Sequence, residues 1–134
     1  MIESLFGVNA NLASLILRIA VGSLFMVHGY PKLGSKQRQQ GAVWMKSMGM
    51  PGWMMGFAGV AEFLGGLGLI VGFLTPIVAV LSALWMLSTT WFARSKLKKK
   101  YQGGWELDVT LMLAALEVAA LGSGALSLDH LLGF

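Results

Sequence analysis

Residues 52–92, GWMMGFAGVAEFLGGLGLIVGFLTPIVAVLSALWMLSTTWF, decide the fold. The stretch carries a single charged residue, Glu62, and divides at Gly72-Phe73-Leu74-Thr75-Pro76 into two apolar runs, Gly52 to Gly72 and Pro76 to Phe92. A glycine is a usual helix stop, and a proline fits only the first turn of the helix that follows. The runs are therefore two antiparallel helices joined by a tight turn, and each approaches the ~20 residues that cross a ~30 Å hydrocarbon layer.

Working outward, Leu12 to Tyr30 and a shorter run from about Leu107 to Leu121 have the same character. The last is extended by Trp105, Glu106 and Gly122 to about residues 105–122. Together with 12–30, 52–72 and 76–92 it defines an all-α, polytopic membrane protein, an antiparallel bundle of four transmembrane helices forming one membrane domain over 1–134. Composition agrees. Of 134 residues 56% are apolar and 12% charged, with a mean hydropathy of +0.71, which is too little polar surface for a soluble monomer. The first run lacks a basic start and a small-residue cleavage site and contains Arg18, so it reads as a span rather than a signal peptide.

Four of the ten Lys and Arg residues (Lys32, Lys36, Arg38, Lys46) lie between the first two runs. Five more (Arg94, Lys96, Lys98, Lys99, Lys100) lie between the last two. The positive-inside rule places both loops in the cytoplasm and both termini outside. It also explains the net charge of +4 without nucleic acid. The segment holding Trp44, Met45 and Met48 reads as interfacial, and Trp53, Trp91 and Trp105 as an aromatic belt. The methionines, scattered at helical spacing, are packing residues. The chain has no cysteine, which excludes disulfides, thiol catalysis, iron–sulfur clusters and thiolate metal sites. His28 and His130 fall near opposite faces, so no metal or bis-histidine haem site is expected.

Inside the spans, residues separated by three, four or seven positions share a helix face. Arg18, Gly22, Phe25 and Gly29 form one stripe, with His28 to its side. Gly59, Glu62 and Gly66 form a second, and Glu106, Thr110, Leu113 and Glu117 a third, from which Asp108 points away. Span three offers Ser82, Trp85 and Thr89. Charges in lipid face the bundle interior and pair, and Arg18, Glu62 and Glu117 fall at similar depth. The expectation is that Arg18 pairs with Glu117, Glu62 or both. The second carboxylate then needs protonation, a ligand or a cation, and such a group is a functional-site candidate.

Several fragments, in order, resemble the DoxX family of small membrane proteins. They are Leu17-Arg18-Ile19-Ala20-Val21-Gly22, His28-Gly29-Tyr30-Pro31-Lys32-Leu33, Glu62-Phe63-Leu64-Gly65-Gly66-Leu67-Gly68-Leu69, Gly72-Phe73-Leu74-Thr75-Pro76, Gly103-Gly104-Trp105-Glu106 and Ser127-Leu128-Asp129. The resemblance implies a four-helix bundle in the cytoplasmic membrane of a bacterium or archaeon, associated with quinol oxidase or thiosulfate:quinone oxidoreduction. It also implies polar family positions at Arg18, His28, Lys32, Glu62, Glu106 and Asp129.

Three functions fit these features. One is a quinone-interacting subunit whose site uses Arg18 or His28 as donor, Glu62 as proton exchanger, and Phe25 and Trp85 beside the ring. Glu106 and Glu117 are further ligand-binding or proton-exchange candidates. Having no intrinsic cofactor, such a chain takes electrons through an oxidoreductase partner docked at the basic loops. The alternatives are a structural or assembly protein, and a small proton-coupled transporter, for which a homo-oligomer would widen the pathway.

Overall fold

The computed structural model describes residues 9–134. Helix α1 (Ala10–Leu33) starts where the Asn9 side chain accepts the Leu12 N–H at 3.2 Å, and it runs through Pro31 in its last turn. Helix α2 (Ser35–Ser47) follows almost at once, so the expected interfacial segment is helical. Helices α3 (Met54–Val71) and α4 (Thr75–Ser95) form the hairpin that the sequence predicts. A kinked turn at Tyr101–Trp105, with Gly103 at a φ of +70°, leads into α5 (Glu106–Leu121), and a short α6 (Leu128–Leu132) closes the chain.

Helices α1, α3 and α4 are each long and apolar enough to cross a membrane. Helix α5, with 16 residues, is shorter and packs against α4 and α1. The surface of this assembly is inverted relative to a soluble protein. Ile16, Val27, Leu64, Leu81 and Leu84 are exposed, whereas Ala79, Ala83 and Ala115 lie in the core beside Val21, Leu69 and Val118. Large aliphatic side chains outside and small ones inside suit a lipid solvent, in which helices associate through close packing. In water the same surface would be one continuous apolar patch.

The closest packing joins α1 to α3, and glycine makes it possible. A Cβ on Gly22 would stand 2.6 Å from the Gly66 carbonyl oxygen, and one on Gly66 2.5 Å from that of Gly22. Farther along, a Cβ on Gly29 would meet the Phe63 nitrogen at 2.6 Å. The stripe Arg18, Gly22, Phe25, Gly29 is buried throughout, and it faces the stripe containing Gly59, Glu62 and Gly66. A carboxylate is thus held between points of backbone contact.

Candidate functional site

Glu62 lies near the middle of α3 and is 5% exposed. Its two carboxylate oxygens accept hydrogen bonds from Lys32 Nζ at 2.7 and 2.6 Å, and Oε1 also accepts one from the Trp85 indole at 3.1 Å. Lys32 comes from the last turn of α1 and Trp85 from α4, so three helices meet at one carboxylate. Among the described residues this is the only salt bridge.

Two cavities flank it. The larger, about 440 Å³, lies between α3 and α4 and is lined by Phe25, Phe57, Glu62, Gly65, Ser82 and Trp85 among mainly apolar neighbours. Phe57 meets the Trp85 ring edge-on, with centroids 6.1 Å apart. The smaller, about 160 Å³, lies on the other side of Glu62 and gathers His28, Lys32, Glu62, Thr89 and Asp108. Phe25 and Glu62 belong to both, so they form the wall between the apolar groove and a smaller chamber in which these polar groups sit among Leu24, Met86, Leu107 and Leu111.

Arg18 is elsewhere. It is fully buried toward the opposite end of α1, where Nη2 donates to the Leu126 carbonyl at 2.5 Å. Close by, the Asp129 carboxylate accepts the Leu74 and Thr75 N–H groups at 2.6 and 2.8 Å, and so caps α4 from 55 and 54 residues away. The segment after α5 is tied down further. Ser14 donates to the Gly122 carbonyl at 2.6 Å, Asn11 accepts the Ala125 N–H at 2.9 Å, and the Asp129 N–H reaches the Gly72 carbonyl at 2.9 Å. Gly72 is required twice over. Its φ of +72° suits glycine, and a Cβ there would overlap Arg18 Nη1. Burial alone would push the Asp129 carboxyl up, but the Thr75 and Leu74 donors and the Arg18 charge outweigh it and hold the group below the usual carboxylate range.

This placement corrects several expectations. Arg18 pairs with neither Glu62 nor Glu117, and it does not bound the Glu62 cavities. Glu117 is exposed on the outer face of α5 together with Thr110 and Leu113. The inward face is instead Leu111, Ala115 and Val118, and Asp108, three residues before Leu111, shares it and enters the smaller chamber. The helix is rotated so that its apolar stripe, not its polar one, meets α1 and α4. Glu106 stays outside the chamber and accepts the Gly103 N–H at 2.9 Å, bracing the turn before α5. His28 lines the chamber while its Nδ1 is 2.7 Å from the Leu24 carbonyl of its own helix. Phe25 and Trp85 do stand beside Glu62.

Lys32 and Asp108 are the two members of this cluster that helical spacing did not select. The signal for Lys32 was present. The stripe 18, 22, 25, 29 advances by four, three and four, and the next step of three is residue 32.

The fold and its buried charges define a helical membrane protein with a polar centre held among apolar spans. The chain belongs to the DoxX family, whose sequence model matches residues 13–95. It is 34% identical over 120 residues to a Bacillus subtilis (strain 168) protein named "Putative oxidoreductase CatD", covering 89% of this chain and 86% of that one. It is 33% identical over 120 residues to "Inner membrane protein YqjF" of Escherichia coli (strain K12), covering 88% and 90%. No solved structure matches the chain significantly.

Proposed function

We propose that this chain is a membrane subunit of an oxidoreductase system, and that the groove between α3 and α4 binds the ring of a quinone or a similar flat amphipathic molecule. The observation carrying this reading is the position of Glu62, a buried carboxylate with an apolar groove on one side and a chamber of titratable groups on the other. The groove's volume falls in the range of small-molecule sites, and its few polar groups, Glu62, Ser82 and Trp85, are concentrated on one side of an apolar lining. A quinone supplies two-electron, two-proton chemistry. The chain's own residues would orient the ring with Trp85 and Ser82 and exchange protons at Glu62. Lys32 balances the carboxylate, and His28 and Asp108 lead from it toward the basic side of the protein.

In this reading α5 is the fourth span, completed by the turn at Tyr101–Trp105. The basic loops face the bacterial cytoplasm, where a soluble or membrane-bound oxidoreductase docks, and both termini are outside. The name of the Bacillus subtilis relative agrees with an oxidoreductase association, and that of the Escherichia coli relative with a bacterial inner membrane.

The test is titration of nanodisc-embedded protein with a short-chain quinone, followed by tryptophan quenching. Native protein should bind saturably. Gly65→Leu should abolish binding with the Lys32–Glu62 pair intact, because a Cβ at Gly65 meets only Ser82 Oγ at 3.9 Å and the longer side chain extends into the groove. Titrated with the corresponding quinol, whose hydroxyl can donate to the carboxylate, Glu62→Gln should bind about tenfold more weakly, the loss of a charge-assisted hydrogen bond. Native protein that binds no quinone would leave the structural-subunit reading as the better account of the buried charges.

A further inference from the structure

A second cavity system lies apart from Glu62, where α2 runs beside the start of α3. It is an open groove of about 460 Å³ lined by Arg38, Gln39, Ala42 and Lys46 on one wall and Gly52, Trp53 and Gly56 on the other. Arg38, Ala42 and Lys46 follow one another at four-residue steps and so share a face of α2. The opposite wall is cut back to receive them. A Cβ on Gly56 would lie 3.3 Å from Arg38 Cδ, and one on Gly52 3.0 Å from Lys46 Cε. The stems of both cations therefore lie across glycines, with their charged ends at the groove.

No carboxylate lines this groove, and neither Arg38 nor Lys46 has an acidic partner among the described residues. Two exposed cations bordering one open groove with no carboxylate beside them make it a favourable place for an anion. A guanidinium fork beside an ammonium is a phosphate-binding combination. The surroundings narrow the source. Trp53 is 68% exposed at the point where α3 begins, and Phe57, one turn further along, is 53% exposed, with ring centroids 6.0 Å apart. An aromatic strip thus runs from the groove along the apolar surface of α3, as a lipid chain would require and a free anion would not.

We propose that this groove is a binding site for the headgroup of an anionic phospholipid. The phosphate sits between Arg38 and Lys46, Gln39 reaches the polar headgroup substituent, and an acyl chain lies on Trp53 and Phe57. The headgroup site does not rest on the quinone reading, since the groove shares no lining residue with either Glu62 cavity; only Phe57, under the acyl chain, also borders the Glu62 groove.

The experiment compares thermal stabilisation of detergent-solubilised protein by phosphatidylglycerol, phosphatidylcholine and inorganic phosphate. Phosphatidylglycerol alone should raise the melting temperature. The double variant Arg38→Gln with Lys46→Gln should need about 30-fold more of it for the same shift, the effect of two basic groups near an anionic surface. Lys98→Gln with Lys100→Gln serves as the control for general surface charge and should respond like the native chain. An unchanged response in the Arg38/Lys46 variant, or an equal loss in the control, would overturn the site. Equal stabilisation by inorganic phosphate would overturn the lipid and leave only an anion.

Discussion

Two buried clusters of charge sit at different heights in this protein, one around Arg18 and one around Glu62, and they differ in what surrounds them. Arg18 and Asp129 are enclosed by backbone. The arginine donates from Nη2 to a carbonyl while Nε and Nη1 are buried without a partner, the aspartate accepts two amide N–H groups, and none of the three cavities described above reaches either. Glu62 and Lys32 have side-chain partners and open space on both sides. Enclosure by backbone makes a charge part of the architecture, because nothing can move without breaking the chain's own path. Enclosure by side chains and cavities leaves room for a ligand or a proton. The surplus expected of Glu62 and Glu117 over Arg18 is not found, since Glu62 is paired with Lys32 and Glu117 is exposed, but a different count takes its place. Arg18 and Lys32 stand against Asp129, Glu62 and Asp108, and the surplus carboxyl falls in the chamber with His28.

The sharpest way to break this comparison is to remove one charge from each cluster. Arg18→Leu should be the most damaging change, at about 2–3 kcal/mol, since it removes a buried charge-assisted hydrogen bond to the Leu126 carbonyl and the nearby positive charge that helps keep Asp129 ionised. Glu62→Gln should cost less than half as much, because the Lys32 side chain retains 29% exposure and can turn toward the basic side. Thermal unfolding of both variants in the same detergent ranks them directly. If Glu62→Gln proves the more destabilising, the roles assigned to the two clusters are reversed.

What the sequence made readable follows the range of the interactions involved. The spans, the hairpin at Gly72–Pro76 and the glycine stripes depend on neighbours within a few turns, and three- and four-residue spacing captures them. Lys32, which the family resemblance marks, falls outside the spacing argument only because a first span ending at Tyr30 stops before the stripe runs out. Asp108 and Glu117 depend on the rotation of α5, and a helix with both a polar and an apolar stripe does not reveal in its spacing which of them faces inward. The segment after α5 could not be read locally at all. Asp129 caps a helix 54 residues earlier in the chain, and no periodicity carries that information. Only the family resemblance, through Ser127-Leu128-Asp129, marked it.

A smaller effect sharpens the architectural side. The Asp129 carboxyl is held below its ordinary value by its N–H donors and Arg18, so its contribution to stability is present above the unfolded-state pKa of about 3.9. That contribution is lost as pH falls through the lower folded-state value. Native protein should therefore lose melting temperature in acid below about pH 4, over a range in which Asp129→Asn, already lacking the charge, changes less. Equal acid sensitivity in the two proteins would show that the carboxylate is not what ties the end of the chain to α4.

The smallest effect belongs to Glu117, which the sequence ranked beside Glu62. It lies on the outward face of α5, four residues before the helix ends at Leu121, or about 6 Å along the axis. With α5 as the fourth span proposed above, a carboxylate that close to its end reaches the headgroup region at modest cost and needs neither Arg18 nor an interior partner. Glu117→Gln should change stability by no more than about 0.5 kcal/mol and leave quinone titration unaltered. The informative measurement is oligomeric state, by light scattering or crosslinking, alongside melting temperature. A marked loss of stability accompanied by dissociation of a larger species would place Glu117 at a contact between copies. An unchanged monomer would assign it to the lipid-facing surface and confine the chemistry of the buried charges to the chamber around Glu62.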